Sequence, residues 1–168
     1  MFSLKILILI VSLVVFIIIF KTFRKKNIFG LQGKLVYLDE GKKSITFVNH
    51  KFKIIAKPDF IFKHWWGQFY MIEHKESYRE PSRADIVQVK AALIAVRSEI
   101  PSLKKVYIST KKGLYRYNFK KSSRRVFKEI STYHKLTTQI YDGDYVDIIC
   151  DDKNVCLKCP VKKNCELK

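Results

Sequence analysis

Cysteine is missing from the first 149 residues of this 168-residue chain, and acidic residues are scarce throughout. All four cysteines lie within the last nineteen residues, so any site built from thiols belongs to that tail. No internal repeat and no low-complexity linker is present, which excludes a repeat architecture. A chain of this length without repeats has room for one globular domain.

The shortage of acidic residues leaves a large positive charge. Fifteen acidic residues stand against 33 basic ones, a formal net charge of +18. An excess of this size attracts polyanions, with nucleic acid the first candidate and a membrane surface the second. Solvated lysines without any partner account for part of it. The charge therefore indicates a class of partner and no particular chemistry.

An unbroken apolar run occupies residues 6–20, between Lys5 and Lys21. With its neighbours, over residues 4–23, it comes near the roughly 20 residues that a membrane-spanning helix needs. A cleaved signal peptide is the competing interpretation, but no small-x-small cleavage site follows and most nearby positive charge lies after the run. A buried core helix is disfavoured because the run has no polar face. The positive-inside rule then predicts a single-pass membrane protein with a cytoplasmic C-terminal domain.

The rest of the chain alternates between strand and helix patterns, which predicts an α/β sandwich. Residues 1–25 are assigned to the membrane anchor, 26–145 to the folded domain and 146–168 to a cysteine-rich tail. The segments with strand or helix periodicity follow in chain order. Strands are predicted at residues 34–39, 44–48, 51–55, 59–62, 67–76, 105–109 and 114–119, and helices at 84–98 and 122–139.

Three short motifs that suit a catalytic site follow one another within this domain: Pro58-Asp59, then Glu73-His74-Lys75, then Gln88. Residues two apart on a strand share a face, so Glu73 and Lys75 point one way and His74 the other. Burying unpaired charges on an apolar stripe is costly, which favours a shared partner such as a metal ion. Two carboxylates plus waters suit Mg²⁺ or Mn²⁺, which prefer oxygen ligands.

The reaction that suits such a site is phosphodiester hydrolysis, in which a metal polarises the phosphoryl oxygen and acidifies bound water. Lys75 would hold the attacking water or offset charge on the phosphate, and Gln88 would orient Lys75 or the nucleic-acid backbone. Each motif also has a plain interpretation, since Glu-x-Lys is common as a surface ion pair and Pro-Asp as a turn. The order of both motifs, followed by a Gln-bearing helix, favours a functional site.

At these residues the chain resembles the PD-(D/E)XK nucleases, in their RecB-like branch. The resemblance runs from about residue 53 to the C-terminus, through the segments KPDFIF, FYMIEHKES and ADIVQVKAALIAV. Within that branch it looks most like the CRISPR-associated exonucleases that carry an iron–sulfur cluster. The resemblance implies a restriction-endonuclease-like mixed sheet flanked by helices, and a metal-dependent DNA exonuclease acting on single strands or ends. It also implies Asp59 and Glu73 as metal ligands, Lys75 as the catalytic lysine and Gln88 as the helix residue.

Two features depart from that family. Its members usually have an upstream helix with a Glu or His that helps to bind metal, and here the apolar run occupies that place. Glu40 or His50 are the candidate substitutes. Ala92 stands where the helix motif of the RecB-like branch has Tyr. Both departures leave open a catalytically inactive nucleic-acid-binding module of the same fold.

The spacing Cys156-x2-Cys159-x5-Cys165, with Pro160 after the second cysteine, resembles the C-terminal cluster signature of those exonucleases. Cys150 is the remaining thiol and the candidate fourth ligand. A [4Fe–4S] cluster is the favoured occupant and structural Zn²⁺ its competitor, because four thiolates suit both. Two disulfides are the third alternative and would need a domain that faces an oxidising compartment.

Basic and aromatic residues outside the motifs are candidates for contact with nucleic acid. The two tryptophans would stack on bases of a single strand, or else pack the loop or meet a membrane interface. The basic residues would contact phosphates, or else form a solvated face. The six candidates are Lys111, Lys112, Arg124, Arg125, Trp65 and Trp66. A third hypothesis, a membrane-surface adaptor, assigns the basic charge to lipid.

Overall fold

The computed structural model describes residues 2–23, 26–41 and 44–143. Within these ranges the chain forms α-helices and β-strands in the order that the sequence patterns predict. The elements are α1 (Phe2–Phe23), β1 (Lys34–Leu38), β2 (Phe47–Asn49), β3 (Ile54–Ala56), β4 (Phe60–Lys63), β5 (Phe69–Lys75), α2 (Arg83–Val96), β6 (Lys105–Thr110), β7 (Gly113–Asn118) and α3 (Ser123–Tyr141).

The main sheet has five strands in the order β1-β4-β5-β6-β7. Strands β5 and β6 run parallel, and α2 forms the crossover between them, as a parallel pair requires. The remaining pairs are antiparallel, and β6 and β7 form the predicted hairpin. The predicted α/β class with a mixed sheet is therefore confirmed.

Strands β2 and β3 do not join this sheet, contrary to the expectation that the sheet continues through them. They form a separate antiparallel pair, in which Val48 lies opposite Ile55. Asn49 donates from Nδ2 to the Ile94 carbonyl of α2 at 2.9 Å, which fixes the pair against the helix. Phe47 and Ile54 are buried there, so the pair contributes to the same core from a different direction.

Helix α2 begins where its sequence supplies a capping box. The Ser82 side chain accepts from the Asp85 backbone N–H, while the Asp85 side chain accepts from the Ser82 backbone N–H. The apolar positions that show helical spacing are then buried against the sheet. Val89, Leu93 and Val96 are completely buried, in one cluster with core residues of β4, β5 and β6. This layer between α2 and the sheet is the main core.

The opposite face of the sheet carries a second, smaller core. Phe62, Tyr70 and Ile72 are buried there, with Phe29 and Leu31 of the segment after α1 packed over them. Strand β5 thus divides its residues by parity, with Met71 facing α2 and Ile72 facing the N-terminal segment. The two faces of the sheet at β5 can consequently carry different chemistry.

The chain divides into two compact units, residues 1–130 and 131–168, with the boundary inside α3. In the first unit, Val126 and Ile130 of α3 are buried in the main core. Of the second unit, the structure describes residues 131–143, where Thr137 and Thr138 donate from their hydroxyls to carbonyls four residues earlier.

Helix α1 covers the apolar run, and its apolar side chains from Ile6 to Ile18 are 44 to 68% exposed. In the part of the chain that the structure describes, no helix is both long and apolar enough to cross a membrane, so the predicted spanning helix is not found.

Candidate active site

Two strand ends and one helix bring the predicted site residues together. Asp59 directly precedes β4, whose first residue Phe60 pairs with Ile72, so Asp59 lies beside Glu73 at the end of the ladder. Glu73 and Lys75 lie at the C-terminal end of β5, and Gln88 lies on α2. Asp59, Glu73, Lys75 and Gln88 form what we call the carboxylate cluster.

Glu73 is the centre of the carboxylate cluster. Lys75 donates from Nζ to Glu73 Oε1 at 3.0 Å, and Gln88 donates from Nε2 to the same oxygen at 2.6 Å. Lys75 also donates to Gln88 Oε1 at 2.8 Å, which closes a triangle of three hydrogen bonds. Both expectations from strand alternation hold, because Glu73 and Lys75 share a face and the ring of His74 lies near Phe29 on the other.

Asp59 is tied to the backbone of β5. Its Oδ2 accepts from the His74 N–H at 2.6 Å, which fixes the carboxylate next to Glu73. A short hydrogen bond from a backbone amide to a carboxylate is among the stronger kinds in proteins. The second carboxylate of the predicted pair is therefore held in place by the strand that carries the first.

Burial is the main cause that raises the pKa of Glu73 above its usual 4.5, and the negative charge of Asp59 raises it further. The hydrogen bond and charge of Lys75 act in the opposite direction without cancelling the rise. Glu73 is only 4% exposed, whereas Gln88 lies at the surface. The carboxylate cluster thus combines the buried carboxylate of Glu73 with the partly exposed one of Asp59, and Gln88 lies at its solvent side.

Asp85 was not predicted as part of the site, although its charge also raises the pKa of Glu73. Arg79 donates from Nη1 to Asp85 Oδ2 at 2.6 Å, and the Ser82 hydroxyl donates to the same oxygen at 2.7 Å. Burial works to raise the pKa of Asp85, but the bonds from Arg79 and Ser82 lower it from 3.8 to about 2. The Ser82-x-x-Asp85 spacing of a capping box is the sequence signal that points to this residue.

Lys111 and Lys112 lie at the same end of the sheet as the carboxylate cluster, because Lys75 pairs with Thr110 at the end of β6. Each is paired to a surface carboxylate, Lys111 with Glu76 at 2.8 Å and Lys112 with Glu80 at 2.7 Å. Both ion pairs are largely exposed, so they are weak and exchange readily with other anions.

Arg124 and Arg125 are exposed on the first turn of α3, which follows the opposite end of the sheet, where β7 ends. Trp65 and Trp66 lie in residues 64–68, which we call the Trp loop, between β4 and β5 at that same far end. Their ring centroids are 4.9 Å apart, and Trp66 stacks on His64 at 3.5 Å. The candidate contacts for nucleic acid are therefore divided between the two ends of the sheet.

The third metal ligand of the family pattern has no counterpart among the described residues. Within residues 2–23, 26–41 and 44–143, no three His, Cys, Asp or Glu side chains are grouped so that they would hold a metal ion. Neither Glu40 nor His50 therefore completes a three-residue ligand set with Asp59 and Glu73. Whether one of them assists metal binding stays a prediction.

The four cysteines, Cys150, Cys156, Cys159 and Cys165, lie outside the residues that the structure describes, so the cluster or zinc hypothesis stays a prediction. In comparisons with known proteins, no family model and no curated protein matches this chain.

Proposed function

We propose that this protein is a metal-dependent nuclease that hydrolyses phosphodiester bonds of DNA at the carboxylate cluster, as an exonuclease on single strands or ends. The observation that carries the proposal is the convergence of Lys75 and Gln88 on one oxygen of the buried Glu73, with Asp59 fixed beside it. An exposed surface ion pair would have neither the burial nor the second carboxylate.

The two carboxylates fit a divalent cation. Burial and the neighbouring charge of Asp59 both disfavour the ionised form of Glu73, and a bound cation would relieve both effects. Lys75 and Gln88 occupy Oε1 of Glu73, and His74 occupies Oδ2 of Asp59, so the other oxygen of each carboxylate would take the metal. Mg²⁺ or Mn²⁺, when bound, would acidify a water and stabilise charge on the phosphate.

Lys75 and Gln88 supply the rest of the chemistry. An ammonium has three N–H donors, and Lys75 uses two of them for Glu73 and Gln88, which leaves one for a water or a phosphate oxygen. Gln88 holds both partners through its amide, and so positions the ammonium of Lys75. Lys111 and Lys112, at the same end of the sheet, would contact the phosphates that flank the cleaved bond.

We also propose that α1 associates with a membrane, which would place the rest of the chain in the cytoplasm. The support is the exposed row of large aliphatic side chains from Ile6 to Ile18, together with the basic residues that follow it in the sequence. Exposed apolar surface of this extent is unusual for a protein surface that faces only water.

For the tail, we propose that Cys150, Cys156, Cys159 and Cys165 bind a [4Fe–4S] cluster, with Zn²⁺ as the alternative. The support is the sequence spacing alone and the suitability of four thiolates for either group. Protein purified without oxygen should be brown if the cluster is present, and colourless with bound zinc if it is not. Simultaneous Cys156→Ser and Cys159→Ser replacement should release whichever group is found.

The nuclease proposal is tested with the full chain in detergent and end-labelled single- and double-stranded DNA, with Mg²⁺ or Mn²⁺. Glu73→Ala should lose activity by more than the roughly 10–100-fold typical of residues that only orient a metal ligand. Lys75→Met should lose about 10²–10³-fold, as removal of one charge-stabilising donor does. Both variants should largely retain DNA binding, because the contacts to the flanking phosphates are assigned to Lys111 and Lys112.

The matched control is Glu99→Gln, an exposed carboxylate outside the carboxylate cluster, which should digest DNA like the wild type. Digestion that survives Glu73→Ala would refute the assigned site. DNA that is bound but left intact by the wild type in both metals would favour the catalytically inactive binding module.

A further inference from the structure

A cavity of about 300 Å³ lies on the other side of the sheet from the carboxylate cluster. Tyr70 of β5 lines it, and the side chain of Tyr70 belongs to the second, smaller core and not to the layer beneath α2. We call this cavity the aromatic pocket. Among the residues that line it are Lys26, His64, Trp66, Tyr70, Lys105 and Tyr107.

The walls of the aromatic pocket are held by hydrogen bonds. Tyr70 donates from its hydroxyl to the Gln32 carbonyl at 2.7 Å and accepts from Asn27 Nδ2 at 3.0 Å. The Tyr70 and Tyr107 rings meet edge to face at 5.6 Å. Lys105 donates from Nζ to Gln68 Oε1 at 3.0 Å, which holds its ammonium at the wall. The pocket is thus shaped before any ligand arrives.

The charge of the aromatic pocket is of one sign. Lys26 and Lys105 both line it, and no aspartate or glutamate is among its described lining residues. Two ammonium groups without an acidic neighbour suit the oxygens of a phosphate.

The position of the aromatic pocket points to the source of that phosphate. Lys26 is the third residue after α1 ends at Phe23, so the pocket adjoins the end of the helix with the exposed aliphatic row. The Trp loop supplies Trp66 to the same wall, and Trp65 and Trp66 are 60% and 52% exposed. Tryptophan and lysine at the end of an apolar helix are the residues that membrane interfaces favour.

We propose that the aromatic pocket binds the phosphate of an anionic phospholipid headgroup, through Lys26 and Lys105, with Trp65 and Trp66 entering the interface around it. The inference rests on the proposed membrane association of α1 and does not depend on the nuclease activity. A nucleic-acid strand is the weaker occupant, because the Trp loop and the carboxylate cluster lie at opposite ends of β5. Phe69 and Glu73 are four positions apart on the strand, roughly 13 Å at the usual rise.

Trp65 and Trp66 are the two tryptophans of the whole chain, so tryptophan fluorescence, excited selectively over tyrosine, reports on the Trp loop alone. The full-length protein is reconstituted into vesicles of phosphatidylcholine, or of equal parts phosphatidylcholine and phosphatidylglycerol. Anionic vesicles should shift the emission to shorter wavelength and protect it from the neutral quencher acrylamide. Lys26→Gln with Lys105→Gln should remove more than half of that lipid-dependent change.

The matched control is Lys51→Gln with Lys57→Gln, which removes the same charge away from the aromatic pocket and should respond like the wild type. An equal loss in this control would reduce the effect to net charge and overturn the proposal. A spectral response to soluble glycerol 3-phosphate without anionic vesicles would assign the site to free phosphate. A response to a single-stranded oligonucleotide that is lost in the Lys26 and Lys105 variant would assign the aromatic pocket to nucleic acid. Either of these two results would overturn the proposal of a lipid headgroup.

The two proposals fail in different ways. Protein that does not partition into vesicles of either composition refutes the membrane association of α1. If the protein partitions into both kinds of vesicle with identical tryptophan emission and quenching, the headgroup site is refuted. The proposed membrane association of α1 then still stands. The nuclease assay in detergent is independent of both outcomes.

Discussion

Glu73 is the residue at which function and stability oppose each other. Its carboxylate is buried, and the charges of Asp59 and Asp85 lie near enough to raise its pKa. A folded protein keeps such an arrangement only where other interactions hold the residue in place, here the bonds from Lys75 and Gln88. Functional sites are where energetic conflict of this kind concentrates.

We therefore expect Glu73→Gln to raise stability at neutral pH while it abolishes activity. Because folding raises the pKa of Glu73, its protonated form is favoured in the folded state, and stability falls as pH rises through that value. The amide removes the charge, and its oxygen can still accept from Lys75 and Gln88. Thermal unfolding should shift upward by roughly 2–4 °C, the change that about 1 kcal/mol makes in a domain of this size.

Two measurements check that explanation of the Glu73→Gln effect. The gain should shrink as pH falls from the raised folded pKa towards 4.5 and be absent below 4.5, since wild-type Glu73 is then protonated in the folded and the unfolded state. Mn²⁺ should raise the unfolding temperature of the wild type and leave that of Glu73→Gln unchanged, because a ligand stabilises only the state that binds it. A variant that is less stable than the wild type at neutral pH would contradict the argument.

Asp85 should show the opposite dependence on pH. Its folded pKa of about 2 lies below the usual 3.8, so its stabilisation is complete above that range and lost as pH falls through about 2. Asp85→Asn should cost about 1 kcal/mol at neutral pH by weakening the helix cap, since Arg79 is half exposed and adds little. Urea unfolding measures this effect. The difference in free energy of unfolding between the wild type and Asp85→Asn should be smaller near pH 2 than at neutral pH.

Glu73, Lys75 and Gln88 were predictable because strand alternation and position on a helix are local properties, whereas the place of Asp59 beside Glu73 depends on the pairing of β4 with β5. Strand alternation places Glu73 and Lys75 on one face, and the first turns of a helix place Gln88 above them. Asp85 escaped prediction because its effect on Glu73 acts through space between elements. For Glu40 and His50, position in the chain does not predict which side of the fold a loop reaches, so their role stays a prediction.

Among the elements, the patterns located every strand and helix of the main sheet to within a few residues. The error concerned the partners of residues 44–55, which were expected to continue the sheet. An alternating apolar pattern identifies a strand but not its neighbour, and here Phe47 and Ile54 satisfy their burial against α2. Pairing between strands is set by the whole core, which no local window contains.

Arg97 joins the elements at the end of the sheet far from the carboxylate cluster. It donates from Nε to the Leu103 carbonyl at 2.8 Å, from Nη1 to the Lys121 carbonyl at 2.9 Å and from Nη2 to the Phe119 carbonyl at 2.6 Å. The end of α2 is thereby tied to the chain before β6 and before α3. Burial lowers the pKa of Arg97, as expected for a cation whose partners are neutral carbonyls.

Replacement of Arg97 by Leu should cost roughly 3 kcal/mol, because three carbonyls lose a charged donor. Arg97→Lys should recover little, since an ammonium cannot reproduce the fork of a guanidinium. The midpoint of urea unfolding measures both. Arg116→Lys, at an exposed position of β7, is the control and should leave the midpoint unchanged. Wild-type stability in the Arg97→Lys variant would show that charge alone matters at this position.

At the scale of the molecule, the net charge of +18 should make the proposed binding of nucleic acid depend strongly on salt. Each phosphate contact with a single strand contributes about −0.7 to the slope of log K against log salt. Lys111→Gln with Lys112→Gln should therefore flatten the slope by about 1.4 for a short oligonucleotide held at the carboxylate cluster. Arg124→Gln with Arg125→Gln should flatten it only for strands long enough to reach the other end of the sheet.

Fluorescence anisotropy with short and long oligonucleotides over a range of salt concentrations measures these slopes. Equal effects of the two double variants on the short strand would contradict the division of contacts between the sheet ends. An unchanged slope in both double variants would show that none of the four residues contacts phosphate. Other basic residues would then have to account for binding.

The parallel pairing of β5 with β6 also determines when the carboxylate cluster comes into existence. As the chain leaves the ribosome, Asp59, Glu73 and Lys75 emerge before Gln88, and β5 cannot acquire its neighbour until all of α2 has followed. Closing a connection of that length is slow compared with forming a hairpin. The two acidic groups thus stay apart from Gln88 until synthesis of the crossover is complete, and the proposed site is assembled only after α2 has been made.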